Sequence, residues 1–151
     1  MKRTALAVSL LVVCGGVCAQ TMKSVAGTYS VVKVSAYGEN ARGMMTLTSD
    51  GKYSIELARA TLPKFASNSR VKGTAEENKA VIEGSIFHFG TYDIGDGGKS
   101  ITFHIKTSTF PNWDGTDQKR ALAVKGDELT YTVTAPSAGG PPNDVIWKKM
   151  K

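Results

Sequence analysis

The chain has 151 residues, of which 41% are hydrophobic, and its 19 basic and 13 acidic side chains give a formal net charge of +6. That length and composition fit one domain with its own apolar core. The basic residues are scattered singly, without the basic patch interleaved with aromatics that marks nucleic-acid binders. We therefore expect no nucleic-acid partner.

The first nineteen residues have the pattern of a secretion signal. Residues 2–3 are basic, residues 5–13 form an apolar run, and residues 17–19 are small enough for cleavage. The apolar run is shorter than the ~20 residues that a membrane-spanning helix needs, so no stable membrane span is expected. We predict a signal peptide over residues 1–19, cleaved near Ala19-Gln20, and a secreted or periplasmic protein.

Cleavage would leave a domain, residues 20–151, that contains no cysteine. Both cysteines, Cys14 and Cys18, precede the cut, and the valine before each disfavours the alternative of a lipid-anchored protein. Without disulfides, such a domain depends on its apolar core alone. Loss of Lys2 and Arg3 would lower the basic count from 19 to 17 against 13 acidic residues, an excess of +4. So mild an excess could favour an anionic ligand or surface, and it is also what a solvated face carries.

Alternating apolar and polar residues predict three strands and then a helix in the first part of the domain. Asp50-Gly51, between the second and third strands, is a strong hairpin signal, because glycine adopts positive φ without steric cost. Farther along, Thr74 and Glu77 fit a capping box, and apolar residues recur at helical spacing up to Ile86. The predicted elements are strands at residues 27–36, 44–48 and 53–57 and a helix from Ala75 to about Ser85.

Five more strands are predicted in the second part, with hairpins closed by Gly97-Gly98 and Gly126-Asp127. The total predicts an all-β protein, an eight-stranded antiparallel up-and-down barrel with one short α-helix inserted before its middle hairpin. Eight is about the number at which a closed barrel either fills itself with side chains or holds one small ligand. The five strands cover residues 87–94, 100–107, 119–125, 128–135 and 144–150.

The hairpin over residues 87–107 carries aromatic residues on both faces. Pairing around its glycine turn places Tyr92 and Phe103 on one face and Phe89 and His104 on the other. A half-exposed sheet normally has one solvated face. Two explanations stay open: the helix covers the outside of the sheet, or the inside is an aromatic-lined pocket with a few polar groups, which is the composition of ligand sites.

No metal or cofactor motif is recognisable. His88 and His104, the two histidines, fall on opposite faces of this hairpin, and no cysteine or carboxylate cluster accompanies them. Gly98-Lys99-Ser100 looks like the end of a phosphate loop, but Asp93 stands where its first glycine is required. We expect no metal and no cofactor. If either histidine acts in catalysis, its polar neighbours favour His104.

Several motifs resemble, in order and spacing, those of the lipocalin-like domain family, small barrels related in shape to lipocalins and to allene oxide cyclase. The spacing of FGTYDI and STFPNWDGTDQKR is the most specific part, and the resemblance covers nearly all of residues 20–151. It implies an eight-stranded barrel, in a family that includes apparent carriers and proteins acting on apolar molecules. The matching motifs are GTYSVV, ARGMMTLTSDGKYSIELAR, PKFAS, GTAEE, FGTYDI, STFPNWDGTDQKR, GDELT and IWKKM.

The chain departs from the usual residues of that family in three places. Tyr29 stands where relatives usually carry tryptophan, and Lys148-Lys149 follow the last-strand Trp147 where an arginine is frequent. Phe103 occupies the place, as we align it, of a histidine found in relatives. We therefore expect closure of the barrel to rest on different contacts, and any chemistry of that histidine to be absent.

The resemblance and the residue pattern together predict a non-enzymatic carrier or binding barrel for a small, largely apolar ligand that can carry an anionic group. Arg120 occupies one of the family's recurring positions and can stack on Trp113 or hold a carboxylate in bidentate fashion. The predicted ligand contacts are Tyr53, Phe89, Tyr92, Phe103, His104, Trp113 and Arg120.

Two alternative functions stay open. A cyclase or isomerase would fold an apolar substrate inside a dry barrel and requires a titratable group buried beside a cavity. A filled barrel would instead act through contacts between its surface and other proteins. The alternatives differ in whether the interior is open or filled, and a one-residue change of register decides which side chains face inward. No catalytic residue is assigned, and no oligomeric state is predicted.

Overall fold

The chain folds into a closed barrel of eight strands that follow one another around the barrel in sequence order. The computed structural model describes residues 19–151, so the predicted signal peptide lies, apart from Ala19, outside the described residues. All neighbouring strands are antiparallel, and the last pairs with the first. The predicted up-and-down barrel is confirmed. The strands are β1 (Gly27–Val34), β2 (Arg42–Leu47), β3 (Lys52–Ala58), β4 (Ser85–Gly95), β5 (Ser100–Ser108), β6 (Asp117–Lys125), β7 (Glu128–Val133) and β8 (Asn143–Lys149).

A four-residue helix, α1 (Met22–Val25), closes one end of the barrel. Val25 is fully buried, and its carbonyl accepts a hydrogen bond of 2.5 Å from the Tyr29 hydroxyl. The Tyr92 hydroxyl donates to the Thr48 carbonyl at 2.8 Å at the same end. The sequence did not predict α1, because one turn is too short to show a helical period. We call this end of the barrel the closed end.

The predicted helix, α2 (Ala75–Gly84), precedes the β4–β5 hairpin. Its capping box is present: the Thr74 hydroxyl accepts from the Glu77 amide at 3.2 Å, and the Glu77 carboxylate accepts from the Thr74 amide at 2.8 Å. The same carboxylate accepts from the Ala66 amide at 2.8 Å, which fixes the preceding loop to the helix. Helix α2 leads directly into the start of β4, whereas Tyr92, near the other end of that strand, lies at the closed end. Helix α2 therefore lies at the opposite end of the barrel from α1, and we call this end the open end.

Strands β4 and β5 pair in the predicted register, with Tyr92 opposite Phe103. A bulge follows Phe89, and Gly90 lies so close to β5 that a Cβ atom there would be 2.0 Å from the His104 carbonyl oxygen. Alternation along the strands then sends Tyr92 and Phe103 into the barrel, and Phe89 and His104 to its outer surface. The core is therefore built from the even positions of β4 and the odd positions of β5.

The ladder between β6 and β7 covers only the half of these strands nearer the closed end. It runs from Lys125 opposite Glu128 to Leu122 opposite Tyr131. Residues 117–121 of β6 pair with β5 alone, and Val133 pairs with β8 alone. Strands β6 and β7 therefore separate toward the open end.

Within residues 19–151, no helix has the length and apolar character needed to cross a membrane.

Candidate ligand-binding site

A cavity enters the barrel at its open end. Its atom-free space is about 560 Å³, which includes the part of the mouth that is open to solvent. The volume that is accessible to water is about 60 Å³. The interior is therefore open but narrow. Apolar and aromatic side chains predominate in the lining, and the polar groups include a histidine and an arginine. Lining residues that matter below are His88, Trp113, Arg120, Tyr131, Val133 and Ala138.

Arg120 is a cation inside the barrel, with only 5% of its surface exposed. Its guanidinium lies over the rings of Tyr131 and Phe103, at 4.7 Å and 5.2 Å from their centroids. One of its nitrogens, Nη2, donates to the Gln118 side-chain oxygen at 2.5 Å. No carboxylate of residues 19–151 forms an ion pair with it. A guanidinium has five N–H donors, so this arrangement leaves it able to bind an acceptor.

His88 lies beside Arg120 and is 2% exposed. Burial and, after it, the charge of Arg120 lower the pKa of His88 from its ordinary 6.5 to about 3. Its Nδ1 lies 2.9 Å from the Tyr53 hydroxyl. Burial also raises the pKa of Tyr53, so the phenol keeps its proton and can donate it to Nδ1, which leaves Nε2–H as a donor. His88 is then a neutral hydrogen-bond donor and a very weak base.

Trp113 forms the wall of the cavity at the open end. The turn Pro111–Trp113 is held because the Asp114 carboxylate accepts from the Ser108 amide at 2.7 Å. The indole stands edge-on to His88, with ring centroids 5.6 Å apart. A flat apolar group that enters the mouth would meet the indole first and the polar pair of His88 and Arg120 behind it.

Comparison with known proteins agrees with this architecture. The family described as the lipocalin-like domain matches residues 20–150. The chain belongs to the lipocalin-like domain family. One relative is the 4'-hydroxy-3'-methoxypropiophenone carrier protein ppsC of Aspergillus oryzae, which is 25% identical over 89 residues. That match covers 55% of this chain and 80% of the carrier protein.

Two of the departures from the family's usual residues meet in this lipocalin-like barrel. Lys149 on β8 carries its ammonium 5.8 Å from the ring centroid of Tyr29 on β1. These strands form the seam that closes the barrel, and a lysine over a tyrosine ring is one of the contacts across it. At the third departure, Phe103 is fully buried and packs against Tyr53, with ring centroids 4.6 Å apart.

The seven predicted contact residues do not form one site. Trp113 and Arg120 line the interior cavity. Tyr53 and Phe103 do not line it, but Tyr53 is hydrogen-bonded to His88 and Phe103 lies under the Arg120 guanidinium. Tyr92 is also inside, but its hydroxyl is bonded at the closed end, away from the cavity. The Arg120 guanidinium lies over Phe103 and Tyr131, its diagonal neighbours on the adjoining strands, and stacking on Trp113 was one of two roles considered for it.

Phe89 and His104 lie on the outer surface of the lipocalin-like barrel and cannot contact a ligand in the cavity described above. Both line an outer depression across β3, β4 and β5. His104 bridges two carboxylates there: its Nδ1 is 2.7 Å from Asp117, and its Nε2 is 2.9 Å from Asp93. His104 was favoured as the histidine for any catalytic role, but His88 is the histidine that lies inside the barrel.

Most residues that line the cavity were missing from the prediction, among them His88 and Tyr131. His88 has the same parity on β4 as Tyr92, so strict alternation would have placed it inside. Tyr131 carries no signal of its own, because an alternating strand shows apolar residues of this kind whether or not a cavity adjoins them. Residues 19–151 contain no cluster of three histidine, cysteine or acidic side chains able to hold a metal ion.

Proposed function

We propose that this protein is a carrier or binding barrel for a small, largely aromatic molecule with a hydrogen-bond acceptor or an anionic group. The observation that carries the proposal is Arg120, a buried cation that forms no ion pair within residues 19–151, in the wall of an internal cavity. A desolvated charge costs several kcal/mol unless it is compensated. The two aromatic rings and Gln118 compensate it in part, and an acceptor on the ligand would add charge-assisted hydrogen bonds.

The narrowness of the cavity limits the size of the ligand. The cavity volume that is accessible to water is about 60 Å³, which is less than the roughly 150 Å³ of an engineered apolar cavity that binds benzene. A ring would therefore be held between the mouth and the interior, with outward movement of the side chains near Trp113. The relative's name specifies a phenolic ketone, a molecule of one ring with several acceptors, and this chemistry fits the same cavity.

Two probes of similar size test the acceptor site by calorimetry. They are 4'-hydroxy-3'-methoxypropiophenone, which is neutral, and 4-hydroxy-3-methoxybenzoate, which is anionic. We expect both to bind and the benzoate to lose about 10- to 100-fold in affinity in Arg120→Met, because a hydrogen bond to a charged group contributes about 1.5–3 kcal/mol. Lys106→Gln is the control, since it removes one exposed positive charge from the outside.

Three results of that titration have different meanings. Equal losses in Arg120→Met and Lys106→Gln would show general charge attraction and overturn the acceptor site. Undiminished benzoate binding in Arg120→Met would also overturn the acceptor site. Failure of both probes, together with an empty interior in native mass spectrometry of protein purified from its own host, would overturn the carrier function.

We also propose that the protein acts outside the cytoplasm, after cleavage near Ala19-Gln20. The basic and apolar pattern of the first residues supports this location. N-terminal sequencing of protein recovered from the medium or the periplasm tests it. A chain that keeps Met1 and stays with the cytoplasmic fraction would overturn the location and leave the binding function in place.

An isomerase is the second candidate function, because a titratable group does lie buried beside the cavity. His88 and Arg120 could both donate to a ketone oxygen, so that water can take a proton from the adjacent carbon and return one to it. Exchange of that carbon's hydrogen for deuterium, followed by NMR with 4'-hydroxy-3'-methoxypropiophenone in D₂O, measures this activity. Exchange that is faster than without protein and lost in His88→Gln supports the isomerase, and exchange at the background rate rejects it.

A further inference from the structure

Arg120 faces a second space, outside the cavity of the open end. A cleft between β6 and β7 is lined by residues 117–120 and 133–135 together with Trp113. Its atom-free space is about 600 Å³, which includes the part that is open to solvent. The volume that is accessible to water is about 290 Å³. The cleft is thus wider than the interior cavity, and both spaces include Arg120, Trp113 and Val133 in their linings.

The cleft arises from the missing half of the β6–β7 ladder. The pairing of Leu122 with Tyr131, continued by two residues, would set Arg120 opposite Val133, but no pair forms there. Toward the open end, β6 continues to pair with β5 and β7 continues to pair with β8, but β6 and β7 no longer pair with each other. Separated strands leave backbone groups to water and give a side opening in an otherwise closed wall.

The charges around the cleft leave Arg120 as its unbalanced cation. The carboxylate of Asp117 is held by His104 at 2.7 Å, and the ammonium of Lys119 is held by Asp96 at 2.8 Å. Gln118 binds Arg120 through its side-chain oxygen and keeps the guanidinium at the level of the cleft. An anion in the cleft would therefore meet a charged hydrogen-bond donor, the Arg120 guanidinium, that has no carboxylate partner in the described residues.

We infer that the β6–β7 cleft is a lateral portal through which carboxylates and other small anions reach Arg120, while the apolar part of a ligand occupies the cavity behind Trp113. The portal deepens the proposed binding function and rests on it for the organic ligand. It assigns the site a substrate class, aromatic carboxylates, whose charged group stays next to water while the ring is buried. It also explains how Arg120 can stay charged in a barrel that supplies no counter-ion within the described residues.

Substitutions that fill one opening or the other distinguish the two routes. Thr134→Phe narrows the cleft, and Ala138→Phe narrows the mouth of the open end. Thr130→Phe is the matched control, because Thr130 lies four residues before Thr134, in the part of β7 that pairs with β6. Ala135→Phe is a second cleft variant, and thermal unfolding of all four shows which of them fold.

Stopped-flow tryptophan fluorescence measures association of 4-hydroxy-3-methoxybenzoate with each variant. We expect Thr134→Phe and Ala135→Phe to slow association several-fold, with Thr130→Phe unchanged and Ala138→Phe affected less. Slowing in Ala138→Phe alone, or an unchanged rate in both cleft variants, would overturn the portal and leave the carrier function standing.

Iodide quenching of Trp113 supplies a readout that needs no organic ligand. Iodide is an anion, and the fluorescence difference between wild type and Trp113→Phe isolates the indole that lines the cleft. We expect Thr134→Phe to reduce this quenching and Ala138→Phe to leave most of it. If neither the benzoate nor the ketone binds and native mass spectrometry finds the interior empty, the proposed function fails, and the iodide result still decides whether the portal exists.

Discussion

The Tyr53 hydroxyl and Nδ1 of His88 lie 2.9 Å apart inside the barrel, in a hydrogen bond between neighbouring strands. The bond fixes the imidazole so that its other nitrogen is the one available to a ligand. His104, one strand away, has both of its ring nitrogens bonded to carboxylates on the outside. The two histidines of this chain should therefore respond to pH in opposite directions.

His88 should make the protein less stable in acid. Its pKa is lowered to about 3 by burial and by Arg120, so between pH 6.5 and about 3 the unfolded chain binds a proton that the folded chain does not. The stability that depends on neutral His88 is present above pH 6.5 and is lost as the pH falls, with a total effect of a few kcal/mol, about 1.4 for each pH unit. Urea unfolding between pH 7 and 4 measures this slope.

The matching variant is His88→Gln, which keeps a polar side chain and cannot titrate. We expect it to be less stable at pH 7, where the bond with Tyr53 is lost, and to depend less on pH below 6.5 than the wild type. NMR of the wild type should show no titration of the His88 ring down to pH 5. A ring signal that shifts with a midpoint near 6.5 would contradict the assignment of His88 to a buried site.

His104 should have the opposite effect. Hydrogen bonds that the ring donates to Asp117 and then to Asp93 raise the pKa of His104 above the ordinary value. Its contribution to stability is therefore complete below pH 6.5 and is lost as the pH rises through the raised pKa. An NMR titration of the ring should give a midpoint above 6.5, and Asp117→Asn should lower it. A midpoint below 6.5 in the wild type would contradict the bridging geometry.

The fold could be predicted from the sequence because its signals are local. Asp50-Gly51 and the Thr74–Glu77 capping box each fix a turn or a helix start by themselves, and the alternation of β4 and β5 gives their register once Gly97-Gly98 is taken as the turn. Helix α1 was missed because four residues show no period. Its place at the closed end depends on contacts with Tyr29 on β1 and with Tyr92 on β4. The contact with Tyr92 joins residues that are distant in sequence.

The site could be predicted only in part, because it depends on how strands combine. Tyr53 on β3, Phe103 on β5 and Arg120 on β6 are all buried inside the barrel, but the predicted set also included Phe89 and His104, whose parity sends them outward. The separation of β6 from β7 has no sequence signal, since both strands have ordinary alternation. The aromatic composition of Phe89 suggested a ligand contact, but composition does not distinguish a cavity wall from an outer depression.

Gly90 should not tolerate a side chain. A Cβ atom there would lie 2.0 Å from the His104 carbonyl oxygen and 2.9 Å from the Lys106 nitrogen, and both are backbone atoms that cannot move aside. We expect Gly90→Ala to lower the free energy of unfolding by about 1–3 kcal/mol, as overpacking does in a fixed structure. Gly126→Asn is the control, because its φ of 59° suits asparagine and nothing lies within 4 Å of its Cβ position. Similar urea midpoints for the two variants would contradict the close approach of β4 and β5.

Glu77 should influence ligand binding from outside the cavity. Its carboxylate accepts from the amides of Ala66 and Thr74, so it ties the loop before α2 to the first turn of the helix. The last turn of the same helix carries Glu83, which lines the mouth of the cavity. Glu77→Ala should lower stability, because the capping box and the bond to the Ala66 amide are lost, and should speed dissociation of 4'-hydroxy-3'-methoxypropiophenone. Glu76→Ala removes a neighbouring charge without a capping bond, so equal effects in the two variants would show that charge, and not the tie, positions the helix.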